Sequence, residues 1–121
     1  MRTIKEMCDL LGLTHRTFRY YDSIGLLKPA AHTKAGYRLY DNESVIRMVK
    51  IRVLADIGYE LTEIKKILDD PGYDLKMSLE KRCNEIKESQ ERSEHQLEVL
   101  SSVRSKGLDG IVRERLKQLG S

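Results

Sequence analysis

Between the breaker Asp70-Pro71-Gly72 and Gly107 the chain reads as one helical segment, residues 75–105, whose apolar face is too thin for a monomer. At ~1.5 Å per residue it spans about 45 Å. Leu79, Cys83, Ile86, Leu97 and Leu100 fall on a 4-3 heptad spacing, and Gln90 and Ser93 fill the intermediate positions. A helix of a globular core presents a broad apolar stripe, whereas so narrow a line is the signature of a coiled-coil seam. The pairs Cys83/Leu100, Ile86/Leu97 and Gln90/Ser93 share one midpoint, so antiparallel self-pairing sets apolar on apolar and polar on polar. Any 4-3 heptad is partly palindromic, so this symmetry only favours antiparallel over parallel.

The rest of the chain is punctuated often. Thr3-Ile4-Lys5-Glu6 has capping-box spacing, Ile4, Met7, Cys8 and Leu11 follow at helical spacing, and Gly12 stops the helix. Thr14 then caps a second helix in which Phe18 and Tyr21 face inward, and Gly25 ends it. Pro29 holds its neighbour extended, and Tyr37-Arg38-Leu39-Tyr40 alternates like a strand, so Leu27–Tyr40 reads as a hairpin. Asp41 caps a third helix with Val45, Ile46, Val49, Val53 and Leu54 as the expected buried stripe. Thr62 caps a fourth, with Ile64, Ile67 and Leu68 inward and Lys65 and Lys66 outward. The expected domains are a winged head at 1–73, a dimerisation helix at 74–106 and a short C-terminal segment at 107–121. That segment can form a last helix from Asp109 through Ile111, Val112, Leu116 and Leu119.

At 121 residues, 34% of them charged, the chain holds one modest core and reads as a soluble, mainly α protein. It has no apolar run near ~18 residues and no apolar signal core at its N-terminus, so no membrane partner is expected. The two cysteines, Cys8 and Cys83, form no Cys-x-x-Cys motif, and a reducing cytoplasm is the natural compartment. Residues 1–52 carry ten Lys/Arg against five Asp/Glu, while residues 53–121 carry twelve against fourteen. The basic end is where a polyanion would dock. Catalysis finds no support, because His15, His32 and His95 lack nucleophile or carboxylate partner patterns and no glycine-rich phosphate loop is present.

Two short helices joined at Gly12-Leu13 have helix-turn-helix spacing, whose second helix enters a major groove and presents its first residues to base edges. Thr14, His15, Arg16, Thr17 and Arg19 lie there. The hairpin supplies a wing, with His32, Thr33 and Lys34 at its tip and Tyr37, Arg38 and Tyr40 on its return strand, in reach of phosphates. For Tyr20, Tyr37 and above all Tyr40, packing competes with DNA contact, since a tyrosine can fill a core and still show its hydroxyl.

Thr14–Asp22 followed by Ile24-Gly25-Leu26-Leu27-Lys28-Pro29, and the wing Gly36-Tyr37-Arg38-Leu39-Tyr40, closely resemble the helix-turn-helix signature of MerR-family transcription regulators. The likeness continues through Ile57-Gly58-Tyr59 and Leu61–Ile64 into the long helix, and Leu68-Asp69-Asp70-Pro71 looks most like the multidrug-sensing branch that includes the TipA regulators. The resemblance implies a homodimer on an antiparallel coiled coil. Each head would bind half of a pseudo-palindrome in an overlong promoter spacer, and the dimer would bend and untwist it until RNA polymerase engages both elements. By position, Arg16, Thr17, Arg19 and Tyr20 would meet bases or nearby phosphates, Tyr37 and Arg38 the backbone, and Lys65 and Lys66 a second stretch of backbone. Metal-sensing relatives place cysteines near the start of the dimer helix and in a loop after it. Here Cys83 stands alone, no His or Cys follows Gly107, and neither a metal nor another cofactor is expected. Multidrug-sensing relatives also carry a C-terminal effector domain. Only about fifteen residues follow the long helix here, so the chain is expected to be the DNA-binding and dimerisation part of something longer, or a short regulator controlled otherwise. The rival readings are a coiled-coil module whose head docks a protein, and an architectural DNA-binding protein without an effector.

Overall fold

The computed structural model describes residues 1–120. They form two compact units, one from Met1 to Tyr73 and one beginning at Asp74.

In the first unit the order is β1 (Arg2–Thr3), α1 (Ile4–Leu11), α2 (His15–Ser23), β2 (Ala31–His32), β3 (Arg38–Tyr40), α3 (Asn42–Ile57) and α4 (Leu61–Asp69). The Thr3/Glu6 capping box forms in full, with the Thr3 hydroxyl accepting from the Glu6 amide at 3.2 Å and the Glu6 carboxylate from the Thr3 amide at 3.2 Å. Gly12 then turns the chain at φ 67°, a left-handed conformation costly for a side chain, and donates to the Cys8 carbonyl at 2.8 Å. With Thr14 already the cap of α2, only three residues separate the helices, the tight turn a helix-turn-helix requires.

The hairpin is a three-stranded antiparallel sheet of order β1-β3-β2, with Arg2 opposite Tyr40, Thr3 opposite Leu39, and His32 opposite Arg38. The N-terminal strand was not expected, since two residues carry no alternation to read. Met7, Phe18, Leu26, Leu27, Tyr40, Met48, Ile51 and Ile64 are fully enclosed, so every helix of this unit and the wing contribute to one core.

α3 corrects the expected stripe, of which only Leu54 is buried. Its buried residues are Ser44, Met48, Ile51 and Leu54, while Ile46, Val49 and Val53 are exposed and Val45 is half-buried. At ~100° per residue the two sets lie on opposite sides of the helix, so both carry helical spacing. α4 begins after Glu60, not Thr62, and Ile64 is its fully buried residue, with Ile67 and Leu68 half-buried.

The second unit contains α5 (Leu75–Lys106), capped by the Asp74 carboxylate at the Met77 amide (3.0 Å), and α6 (Leu108–Gly120). None of the 32 residues of α5 is buried. α6 rests on α5 through the buried Ile111 and an ion pair of Lys106 with Glu114 at 2.8 Å. No helix among the described residues is long and apolar enough to cross a membrane.

Candidate nucleic-acid interface

α2 divides cleanly. Phe18 is fully buried against Tyr40, with ring centroids 5.5 Å apart at 54°, and Tyr21 is half-buried, so burial pushes its phenol pKa up. Turned away from them, His15, Arg16, Arg19 and Tyr20 are exposed on one face, Tyr20 at 53%. Thr14 and Thr17, expected to reach DNA, are first occupied in building the helix. The Thr14 hydroxyl accepts from the Thr17 amide at 3.2 Å and lies 3.0 Å from the Thr17 hydroxyl. They present the face by fixing where α2 starts.

The wing tip is closed by Thr33, whose hydroxyl accepts from the Tyr37 amide at 3.0 Å and whose carbonyl accepts from Gly36 at 2.9 Å. That turn leaves Lys34 exposed and Tyr37 70% exposed, too open for a ring whose purpose is packing. Arg38 is half-buried and its Nε donates to Asp22 of α2 at 3.0 Å. It therefore ties wing to recognition helix as well as facing outward, a link between distant positions that spacing alone does not reveal.

Tyr40 is the residue the structure removes from the interface. Its side chain is 0% exposed, its hydroxyl has no hydrogen-bond partner, and burial pushes its phenol pKa up. Being opposite Arg2 in the sheet and packed at a tilt against Phe18, it belongs to the core. A buried hydroxyl without a partner is costly. Tyr40→Phe is therefore expected to raise unfolding free energy in urea by about 1 kcal/mol while leaving duplex affinity unchanged. A loss of stability would show that the hydroxyl is satisfied after all.

Lys66 is exposed on α4, and Lys65 is half-buried with its ammonium 2.8 Å from Asp69. The Asp69 carboxyl is held below its usual pKa, chiefly by that hydrogen bond from Lys65 and then by Arg47. Part of the basic excess is architectural. Arg47 donates to the Leu26 carbonyl at 2.7 Å, Arg52 to the Leu11 carbonyl, and Arg2 to Asn42 at 2.9 Å. Lys28, exposed beside Asp22, lies inside the matched run Ile24-Gly25-Leu26-Leu27-Lys28-Pro29, yet the sequence pattern gives it no DNA-contact role.

Leu79, Cys83, Ile86, Gln90, Ser93, Leu97 and Leu100 are all exposed along α5, Leu97 at 65%. Cys8 is buried, which raises its thiol pKa, and Cys83 is exposed; no group of three or more His, Cys, Asp or Glu among the described residues is placed to hold a metal ion.

A helix pair with a three-residue turn, a cationic outer face on the second helix and an aromatic-basic wing define a winged helix-turn-helix. The chain belongs to the MerR HTH family of regulatory proteins, whose pattern matches residues 2–70. It is 34% identical over 97 residues to the HTH-type transcriptional activator mta of Bacillus subtilis, covering 80% of this chain and 38% of that protein. Against the transcriptional activator TipA of Streptomyces coelicolor it is 32% identical over 80 residues, covering 66% of this chain and 32% of that protein. The chain thus matches about a third of the length of these curated relatives. The crystal structure of the N-terminus of Mta, the Bacillus subtilis multidrug transporter activator, superposes with TM-score 0.80 at 32% identity, covering 85% of this chain and 97% of that one.

Proposed function

We propose that this chain is the DNA-binding and dimerisation part of a transcription regulator. Residues 1–73 read a promoter spacer, residues 74–106 join two copies through an antiparallel coiled coil, and residues 107–121 are a short C-terminal segment. The homodimer distorts the spacer and so controls initiation by RNA polymerase in the cytoplasm. The observation that carries this is the exposed face of His15, Arg16, Arg19 and Tyr20 on a helix whose other side is locked into the core. Arginine on a rigid helix can donate two directed hydrogen bonds to a guanine edge, and groove docking needs a helix that cannot roll. Tyr37 and Lys34 on the wing and Lys66 on α4 add sequence-independent grips on phosphate.

The test is selection of binding sites from a random duplex pool, followed by affinity measurements across a salt series. A two-fold symmetric consensus is expected. Arg16→Ala and Arg19→Ala should each cost about 1–3 kcal/mol and relax one position of each half-site. Tyr37→Ala should weaken all sequences alike. Failure to enrich any sequence, with no salt-dependent duplex binding, would leave the interaction-module reading in its place.

A further inference from the structure

Four cations share two carboxylates around the turn that leaves α2. Asp22 receives Arg38 Nε at 3.0 Å and Lys28 Nζ at 4.0 Å, while Asp69 receives Arg47 at 2.9 Å and Lys65 Nζ at 2.8 Å. Two positive charges are left over. At the centre lies Gly25, with φ 72°, where a Cβ would stand 3.4 Å from Lys65 Cε and 3.9 Å from Lys28 Cε. The stems of one loop lysine and one lysine of α4 thus converge over one piece of bare backbone, and one small anion there can accept from both ammoniums. Arg47 is not free to join, because its Nε is committed to the Leu26 carbonyl.

We infer that Gly25, Lys28 and Lys65 form a seat for one phosphodiester of duplex DNA, and that Asp69 is an internal competitor holding Lys65 until DNA arrives. This rests on the DNA-binding function proposed above. The Lys65–Asp69 pair spans one helical turn and both side chains are more than 40% exposed, the kind of ion pair that yields easily. Asp69 meets Arg47 through Oδ1 and Lys65 through Oδ2, so when phosphate takes the lysine the carboxylate stays fixed by Arg47. Its charge then lies close to the phosphate and lowers affinity.

Asp69→Asn removes the charge but keeps an acceptor for Arg47. It should bind a random-sequence duplex about three- to tenfold tighter at low salt, with the gain shrinking as salt rises. In a Lys65→Gln background the same change should bring only a smaller gain, from the repulsion that Asp69 no longer exerts on the phosphate held by Lys28. Lys28→Gln, at a site 70% exposed and safe for the fold, should reduce the slope of log affinity against log salt by about one. Inorganic phosphate, offering one phosphate where a duplex offers many, should compete only weakly; tight phosphate binding by the free protein would assign the seat to a free anion and overturn the inference. So would an Asp69→Asn protein that binds no tighter than wild type, a gain undiminished without Lys65, or an unchanged slope in Lys28→Gln. In each of those outcomes wild-type binding remains and the proposed function stands. Absence of salt-dependent duplex binding by the wild type would remove both.

Discussion

An Ile86→Glu, Leu97→Glu variant should sediment as a monomer at micromolar concentration, where the wild-type chain sediments as a dimer. α5 has 32 residues and none is buried, although Ile86 and Leu97 present large apolar surfaces along one line. The proposed antiparallel pairing about the Gln90/Ser93 midpoint would set Ile86 of one copy against Leu97 of the other. The double substitution therefore removes four apolar side chains from the seam, each worth about 1.5–3 kcal/mol when fully enclosed. It also faces carboxylates with carboxylates, so attraction becomes repulsion. The first unit makes its own core, and its thermal unfolding should be unaffected. Binding to a two-half-site duplex should fall by orders of magnitude while binding to a single half-site changes little. A monomeric wild type at the same concentration would refute the seam.

How much of this was legible beforehand depended on the range of the signal. Caps and breakers act within a few residues, so Thr3, Thr14 and Asp41 were readable as helix starts and Gly12 as a stop, and each makes the hydrogen bond its position implies. The same local logic misled at Thr62, because the cap lies two residues earlier, at Glu60, which makes no side-chain capping bond. α3 shows where periodicity runs out. Ile46, Val49 and Val53 have the spacing of a buried face, but so do Ser44, Met48, Ile51 and Leu54 opposite them. Only tertiary contact decides that the side with methionine and serine turns inward. Tyr40 is a similar case. Strand alternation placed it on a face but could not say whether that face met DNA or Phe18. Within the site, the exposed cations of α2 could be read from the helix-turn-helix spacing. The pairing of Arg38 with Asp22 and the convergence of Lys28 and Lys65 at Gly25 could not, because they join residues far apart in the chain.

Phe18→Ala should abolish operator binding without altering a single residue that faces DNA. Phe18 is 0% exposed, packs at a tilt against Tyr40 and is the one fully enclosed side chain of the recognition helix. Truncating a buried phenylalanine costs about 3–5 kcal/mol, from lost transfer energy and from the cavity left behind. Domains of this size have only about 5–15 kcal/mol in total, so the first unit should be largely unfolded on modest warming. Even where it stays folded, a recognition helix with a void behind it can roll, and the directed hydrogen bonds of Arg16 and Arg19 lose their geometry. The second unit is separate, so α5 should keep its helical signal and the dimer its mass. Melting followed by circular dichroism should accordingly split into two steps, the earlier one belonging to residues 1–73. Phe18→Leu, which refills most of the volume, should recover both stability and binding to within about 1.5 kcal/mol. Wild-type affinity and a single unchanged melting step in Phe18→Ala would show that α2 is held by something other than this core.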